Sequence, residues 1–508
     1  MSLDLALSIA RSGLTHVNRQ LAQSAANVAN AGTTGYTRKE VAGEAVAAGN
    51  ILGGVRSLEA RRDVDMALVT SMNAARATGA AADAKARLLQ AVEVAHGRPE
   101  AGESVGDLTA VLGDAFVTLR DNPSEPQLQA NAVNAADDLA NRFNTVSRAI
   151  GTARQGAQDG MAAGVEALNA GLRRIAELTE RIRPLVARGL SSASLEDQRD
   201  SAIASLSEEL ELNVVRQADG GVVLLSGGVA LPVQKDGDSF SFAGGTVGAS
   251  AYHGAGGSLP GVMLGGQDVT KLLGKGRLSA YAELRDDILP RQQAELDVAA
   301  ANLASRFDAQ GLRLFTGDTG TVPDPTASYA TGGLIGFGGA IRVNPAVDSD
   351  PSLVRDGTHA VAGSAGGASA FTPNGAAGPA GFTTLLDRAL NFALGSEVST
   401  GNPQPGFVTT GLGPDGSLTS TLVSPRTLGD MTAQLVATQT AERSRAEATG
   451  TASKDLLATL ETRFDDQSGV DMDEEMASMV SLQNAYAANA RLMSAVQSMY
   501  DALLAAVR

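Results

Sequence analysis

Residues 472–508, MDEEMASMVSLQNAYAANARLMSAVQSMYDALLAAVR, place an apolar side chain at every seventh step: Met472, Met479, Tyr486, Met493, Tyr500 and Val507. A second row runs through Met476, Leu482, Ala490, Val496, Leu503 and Leu504. Six consecutive heptad positions make a seam on one long helix, longer than a helix of an ordinary globular domain sustains. At the other end of the chain Leu7, Leu14, Leu21 and Val28 keep the same interval, beside a second row of Leu3, Ala10 and Val17. The segment from Leu3 to Ala31 therefore reads as one amphipathic helix, roughly 40 Å long at 1.5 Å per residue, ended by Gly32-Thr33-Thr34-Gly35. Each seam needs a partner. The simplest partners are the two seams themselves, or the same helices in neighbouring copies of the chain.

Composition narrows the function classes. A chain of 508 residues is too long for one core, and three or more units are expected. With 58 Gly, no Trp and 4% aromatic residues, its interiors must rely on Ala and Leu, which favour close helix packing. The net charge of -16 and the lack of any Lys/Arg block exclude a phosphate-backbone binder. The absence of Cys excludes disulfides, thiolate metal sites and thiol catalysis. Asp4 interrupts the short apolar stretch Met1–Ala10 and Arg11 follows it, so no cleavable leader is expected. There is no run of about twenty apolar residues to enter a bilayer. An amphipathic helix lying on a membrane needs basic residues along its polar face, and the first helix offers only Arg11 and Arg19. Export, if it occurs, uses a route that does not read a standard signal peptide.

Between the seams the period changes twice. Residues 41–63 are Gly-rich and read as a joint, with Ile51-Leu52 among a few β-compatible pairs. Helical spacing holds from Val64 to about Ala187, with breaks at Gly97-Arg98-Pro99 and Asn122-Pro123-Ser124-Glu125-Pro126, softening at Gly151, Gly156, Gly160 and Gly164, and a break at Pro184. After a short helix near 195–210, Asp219-Gly220-Gly221 signals a hairpin between Val214-Val215 and Val222–Leu225. Helix returns from Leu278 to about Gln310, where Pro290 is tolerable only at a kink or a first turn. Residues 313–422 hold short apolar runs between turn signals and read as a second β-rich unit; helix resumes to about Phe464, with a break over Asp465–Val470.

The expected fold is multidomain α+β. The terminal helices, 1–40 with 468–508, pair as a coiled-coil stalk. A helical bundle of 64–194 with 423–467 comes next, and two units are inserted between: a mixed β domain with flanking helices, 195–312, and a β-rich outer domain, 313–422.

Sequence motifs for chemistry are weak. Gly102-Glu103-Ser104-Val105-Gly106 fits G-x-S-x-G, but a nucleophile elbow needs a preceding strand, and a helix N-cap is the better reading. His16, His96, His253 and His359 share no ligand spacing and read as solvated or incidental. The carboxylates Asp465, Asp466, Asp471, Asp473, Glu474 and Glu475 lack the Gly and the late Glu of a Ca²⁺ loop. Capping by Ser468 or Asp471, with carboxylates favoured by the helix dipole, accounts for them. No catalytic residue, metal ligand or cofactor is expected.

Residues Ser24–Arg38, with Asn27, Ala29, Asn30, Gly35, Tyr36 and Arg38 as key positions, resemble the N-terminal signature of bacterial flagellar rod, hook and hook-associated proteins. Ser468–Glu475 and Gln483–Ala490 resemble the closing motif of the same axial proteins. The Gly-Tyr-Thr-Arg ending, the stretch Leu195–Asp200 and the stretch Arg285–Pro290 are similar to the hook-associated family of the hook–filament junction, the FlgK family. Ala26 departs from the usual second Asn. The resemblance implies a non-enzymatic, secreted structural subunit of the extracellular flagellum. It would be exported by the type III apparatus, bound by a dedicated chaperone and assembled into a ring between hook protein and a second junction protein. The expected assembly interface is Leu7, Leu14, Val17, Leu21, Val28, Met472, Met479, Tyr486, Met493, Val496, Tyr500 and Leu503. A different axial protein, hook or second junction protein, and an enzyme or adhesin carried on the insert are the alternatives.

Overall fold

The computed structural model describes residues 3–48, 51–97, 102–423 and 425–506. Val507, Gly49, the Arg98-Pro99 break and the side chains of Ile51 and Leu52 lie outside the described residues. The N-terminal seam forms α1 (Leu3–Asn30). The expected joint is a β-hairpin of β2 (Gly43–Ala48) and β3 (Ile51–Ser57) lying along α1, framed by the short pair β1 (Lys39–Glu40) and β4 (Arg61–Arg62). It belongs structurally to the terminal unit.

Helices α2 (Met66–His96), α3 (Val105–Asp121), α4 (Pro126–Ala187) and α5 (Ala193–Leu206) follow. Their starts are chemically marked. Asp65 accepts from the amides of Ala67 and Leu68 at the head of α2, and Ser104 and Asp107 form a capping box on α3, so Ser104 is an N-cap. Pro184 does not break α4: it stands in the last turn, where one missing N–H disturbs little.

The Asp219-Gly220-Gly221 turn joins β5 (Asn213–Arg216) to β6 (Val222–Ser226) with Val214 opposite Leu224, and β7 (Val229–Leu231) completes that sheet. A smaller sheet holds β8 (Phe240–Ser241), β9 (Met263–Leu264) and β10 (Gln267–Asp268). Helix α6 (Arg277–Glu283) then widens into a π turn over Leu284–Ile288 before α7 (Leu289–Ala309). The wide turn falls immediately before Pro290, whose missing N–H it absorbs.

Residues 313–422 differ from the expected β-rich outer domain. They contain the strands β11 (Phe315–Thr316), β12 (Arg342–Val343), β13 (Glu397–Ser399), β14 (Asn402–Pro403), β15 (Thr410–Leu412) and β16 (Leu418–Thr419). Among these run the short helices α8 (Phe337–Ala340), α9 (Pro345–Ser349), α10 (Leu353–Asp356) and α11 (Thr384–Arg388). The segment does not stand apart, because its apolar side chains continue the body's core: Phe116 of α3, Phe307 of α7 and Phe315 stack in sequence at 5.6 and 5.9 Å. Asp297 of α7 is completely buried and accepts from Tyr329 Oη (2.6 Å), Gly336 N, Gly338 N and Gln293 Nε2 (each 2.8 Å). Burial pushes its carboxyl up to about 6 against these four donors.

Helix α12 (Leu428–Ser468), started by a Thr427–Asp430 capping box, returns antiparallel along α2. Arg76–Glu461, Asp83–Lys454 and His96–Gln439 mark the register. Helix α12 runs past the expected end at Phe464, and the break before α13 (Met472–Ala506) is confined to 469–471. His96 is 2% exposed, and burial lowers its pKa to about 4. His253 lies 2.7 Å from Asp268, and His16 lies 3.0 Å from Ser57. The reading of solvated or incidental histidines is thus corrected in its first half for three of them: helix crossing buries His96, and neighbouring side chains engage His16 and His253. Among the described residues no helix is long and apolar enough to cross a membrane, and no cluster of three His, Asp or Glu is placed to hold a metal.

Gly160 and Gly164 of α4 are packing residues, whereas Gly151 is not. A β-carbon at Gly160 would lie 2.6 Å from the Tyr281 ring, and one at Gly164 would lie 2.6 Å from Leu278 Cδ2, so these two glycines form the groove in which α6 rests. Gly151 meets nothing within 4 Å. Helix propensity alone favours Ala over Gly by about 0.5–1 kcal/mol, whereas overpacking a close contact costs about 1–3 kcal/mol. Gly151→Ala is expected to raise the urea midpoint of the body and Gly160→Ala to lower it, with opposite signs read in one denaturation series.

Candidate assembly site

Helices α1 and α13 lie side by side and antiparallel. Ser24 Oγ bonds the Glu475 carboxylate at one end, Tyr500 Oη bonds Asp4 Oδ1 at the other, and a β-carbon at Gly13 would lie 3.2 Å from Asn489 Oδ1 between them. The most deeply buried residues of the pair are Ala10, Val17, Ser24 and Asn27 on α1 and Glu475 and Val496 on α13. Ala10, Val17 and Ser24 keep the seven-residue step, and so do Glu475, Leu482, Asn489 and Val496. The contact row of α13 is therefore offset from the Met472 row. Leu7, Leu14, Leu21, Val28, Met479, Met493 and Tyr500 are half-buried, whereas Met472, Tyr486 and Leu503 are exposed.

This offset leaves apolar side chains on both flanks of α13. Met472, Met476 and Val480 lie four residues apart along one flank, and Leu492, Met499 and Leu503 follow the other, each about half exposed. Within the chain, α1 covers only the face between them.

The root of the pair is polar and closed. Asn27 Nδ2 donates to Lys39 O (3.0 Å) and Glu475 Oε1 (2.9 Å), while its Oδ1 accepts from Tyr36 Oη (2.9 Å) and Gln23 Nε2 (3.1 Å). Arg38 Nε donates to the same Glu475 oxygen at 2.8 Å, and the Arg38 amide donates to Ser468 O at 2.8 Å. Asp471 Oδ1 caps α13 through the amides of Asp473 and Glu474, confirming one of the two expected caps. Burial alone would raise the Glu475 carboxyl. Hydrogen bonds from Ser24, Arg38 and Asn27, with the charge of Arg38, outweigh it and hold the group below its ordinary value.

A second polar cluster ties this root to α5. Lys39 Nζ lies 2.6 Å from Asp197 Oδ2, and Thr37 Oγ1 (2.7 Å) and Arg62 Nη1 (2.9 Å) donate to Asp197 Oδ1. Arg62 also bonds Glu196 at 2.9 Å and lies 2.7 Å from Asp200. Gly35 adopts φ 78°, which favours glycine, and a β-carbon there would sit 2.6 Å from Ser201 Oγ.

The signature residues thus separate by role. Asn27, Gly35, Tyr36 and Arg38 build the root; Asn30 bonds only near its own turn, to Ala26 O at 2.8 Å and to Thr33, and Ala29 is exposed. Sequence reading missed Ser24, Lys39 and Arg62, and took Glu475 for a helix-dipole carboxylate. The available signal was positional: Ser24 and Glu475 are polar residues standing on otherwise apolar or half-buried heptad rows, one on each helix.

With this geometry in view, comparison with known proteins gives a consistent result. Residues 100–321 match the family model described as the flagellar hook-associated protein FlgK helical domain, and residues 463–506 match flagellar basal body rod FlgEFG protein C-terminal. Flagellar hook-associated protein 1 of Bacillus subtilis (strain 168) is 26% identical over 238 residues, 44% of this chain and 46% of that protein. Its Escherichia coli (strain K12) counterpart is 24% identical over 222 residues, 42% of this chain and 40% of the relative. The chain thus matches less than half the length of either relative. A solved structure, the flagellar hook junction protein FlgK from Burkholderia pseudomallei, aligns at 23% identity and a TM-score of 0.39, covering 50% of this chain and 45% of that one. The helical body and the rod-type C-terminal helix define the class, a flagellar axial protein. Within that class, these matches support a protein of the FlgK family of flagellar hook-associated proteins.

Because Glu475 has a depressed folded pKa, its contribution to stability is present above the unfolded value, about 4.3, and is lost as pH falls through the lower folded value. Acidification from pH 7 to 3 is expected to release α13 from α1, read by amide exchange along α13. Glu475→Gln should remove much of that pH dependence. Asn27→Ala should weaken the pair at neutral pH by about 1–3 kcal/mol, the cost of leaving buried polar partners unsatisfied.

Proposed function

We propose that this chain is a structural, non-enzymatic subunit of the flagellum that joins hook to filament. In this reading it is secreted through the flagellar type III system, with a dedicated export chaperone on its C-terminal region. It polymerises through its terminal helices into a ring, between hook protein below and a second hook-associated junction protein above.

The observation that carries the reading is the pair of exposed apolar flanks on α13, Met472–Met476–Val480 and Leu492–Met499–Leu503, left over after α1 has covered the face between. Fully burying such a side chain yields about 1.5–3 kcal/mol, so lateral neighbours on both sides are strongly favoured. A ring of identical subunits supplies two. The half-buried Leu7, Leu14, Leu21 and Val28 offer a complementary surface on α1. The matches to the FlgK helical domain and to flagellar hook-associated protein 1 support the flagellar setting.

Replacing Leu14 and Met493 by Asp puts carboxylates on the half-buried seam, where an unpaired charge is costly. The double variant should keep the thermal transition of the body yet fail to enter the hook tip, leaving cells without filaments. Normal filaments and swimming with a verified double variant would sink the assembly reading.

A further inference from the structure

The terminal unit meets the body along an open joint. Between the 31–37 loop, α5 and the α2/α12 pair lies a cleft of about 770 Å³ bordered by Met72, Arg76, Ser201, Phe464 and Asp465. The loop has no continuous apolar packing across that space. The α2/α12 pair beside it is itself thin, with a small separate core of Met72, Ala75 and Leu460. The buried cluster on α5 borders the same cleft, which Thr37, Arg62, Asp197 and Asp200 also line: the side chains of Lys39 and Arg62 are each 4% exposed and that of Asp197 is 8% exposed. Asp197 takes all three of its described partners from the terminal unit and its strands, namely Thr37, Lys39 and Arg62. Lys39 Nζ is further held by Thr37 O at 3.0 Å and lies 3.4 Å from the Tyr36 ring centroid, so the cation is boxed in by backbone, carboxylate and aromatic face.

We infer that Asp197 is the positioning residue of this joint: through Lys39, Thr37 and Arg62 it sets the angle at which the α1/α13 pair leaves the body. Packing across the cleft cannot set that angle, because the space is open. A buried ion pair is poor evidence of net stability, but removing one partner leaves the others desolvated and unpaired, so the arrangement that keeps all of them paired is favoured over other angles. The contact is specific in both directions. Thr37 and Lys39 lie within the loop and strand that follow α1, and Asp197 lies in the first two turns of α5, 158 residues from Lys39. The inference rests on the assembly reading only for its consequence, that subunits with a variable angle would not close a regular ring; the angle itself is a property of the single chain.

The chain has no Cys, so two introduced thiols are unique. Nitroxides at Asn18→Cys on α1 and Ala167→Cys on α4, both exposed positions, report the angle as a distance distribution in the monomer. The parent is expected to give one narrow distribution. Asp197→Asn, which turns an amide toward the Lys39 ammonium, should broaden it at least about twofold while helix content is retained. Lys39→Met should broaden it similarly, and the double variant should be no broader than either single one. Should Asp197→Asn melt the body, Lys39→Met, which removes only the ammonium on the terminal side, decides alone. An unchanged distribution in a folded variant, or a parent already broad, overturns the inference. Ring formation, scored separately, tests the assembly reading, so the two can fail independently.

Discussion

A single carboxylate, that of Glu475, stands where two ends of a long chain meet. Removing a charge from water is expensive unless hydrogen-bond donors replace the lost hydration. Here the donors are Ser24, Asn27 and Arg38, all drawn from the opposite terminus. The requirement is mutual: without α13, Asn27 and Arg38 lose this acceptor, and without the N-terminal segment Glu475 loses all three donors and returns to water. The apolar rows supply attraction along the helices but little discrimination among registers one heptad apart. The polar root selects one register, because sliding by a turn would separate Ser24 and Asn27 from Glu475.

The same division runs through the rest of the molecule. Apolar and small residues bring elements together, as where Gly160 and Gly164 admit α6 against α4. Saturated buried polar groups then settle position: Asp297 anchors the 329–338 stretch to α7, and Asp197 anchors the terminal unit to α5. Both carboxylates sit on a helix and take most of their donors from segments distant in sequence, Thr37, Lys39 and Arg62 for Asp197 and Tyr329, Gly336 and Gly338 for Asp297, so irregular stretches are located by rigid ones. This explains how a chain with few aromatic residues keeps several thin units in defined relation.

Much of this was legible beforehand. Helix periodicity, the caps at Ser104 and Asp471, the Asp219-Gly220-Gly221 hairpin and the awkward Pro290 are local statements, and local chemistry decides them. The terminal pairing was legible because a seam of this length has few alternatives. What was not legible depends on partners far apart in the chain. Lys39 and Arg62 are ordinary basic residues until α5 places Asp197 beside them, and nothing in their neighbours announces it. Residues 313–422 read as β-rich because Gly and Pro turns between short apolar runs mimic hairpins. Their apolar groups instead find α3, α4 and α7, and that tertiary burial overrides a weak strand preference. The glycines of α4 looked like helix softening because propensity is visible in sequence and a packing groove is not.

The separation of 451 residues between Ser24 and Glu475 has a kinetic meaning. Closing so long a loop from an unfolded chain costs roughly 5 kcal/mol of entropy beyond a constant term, more than a few hydrogen bonds return. In the folded chain the Arg38 amide and the Ser468 carbonyl are 2.8 Å apart, so on a folded body the loop left to close is a short span on either side. The terminal pair is therefore least costly to form last, once everything between the two ends has found its place.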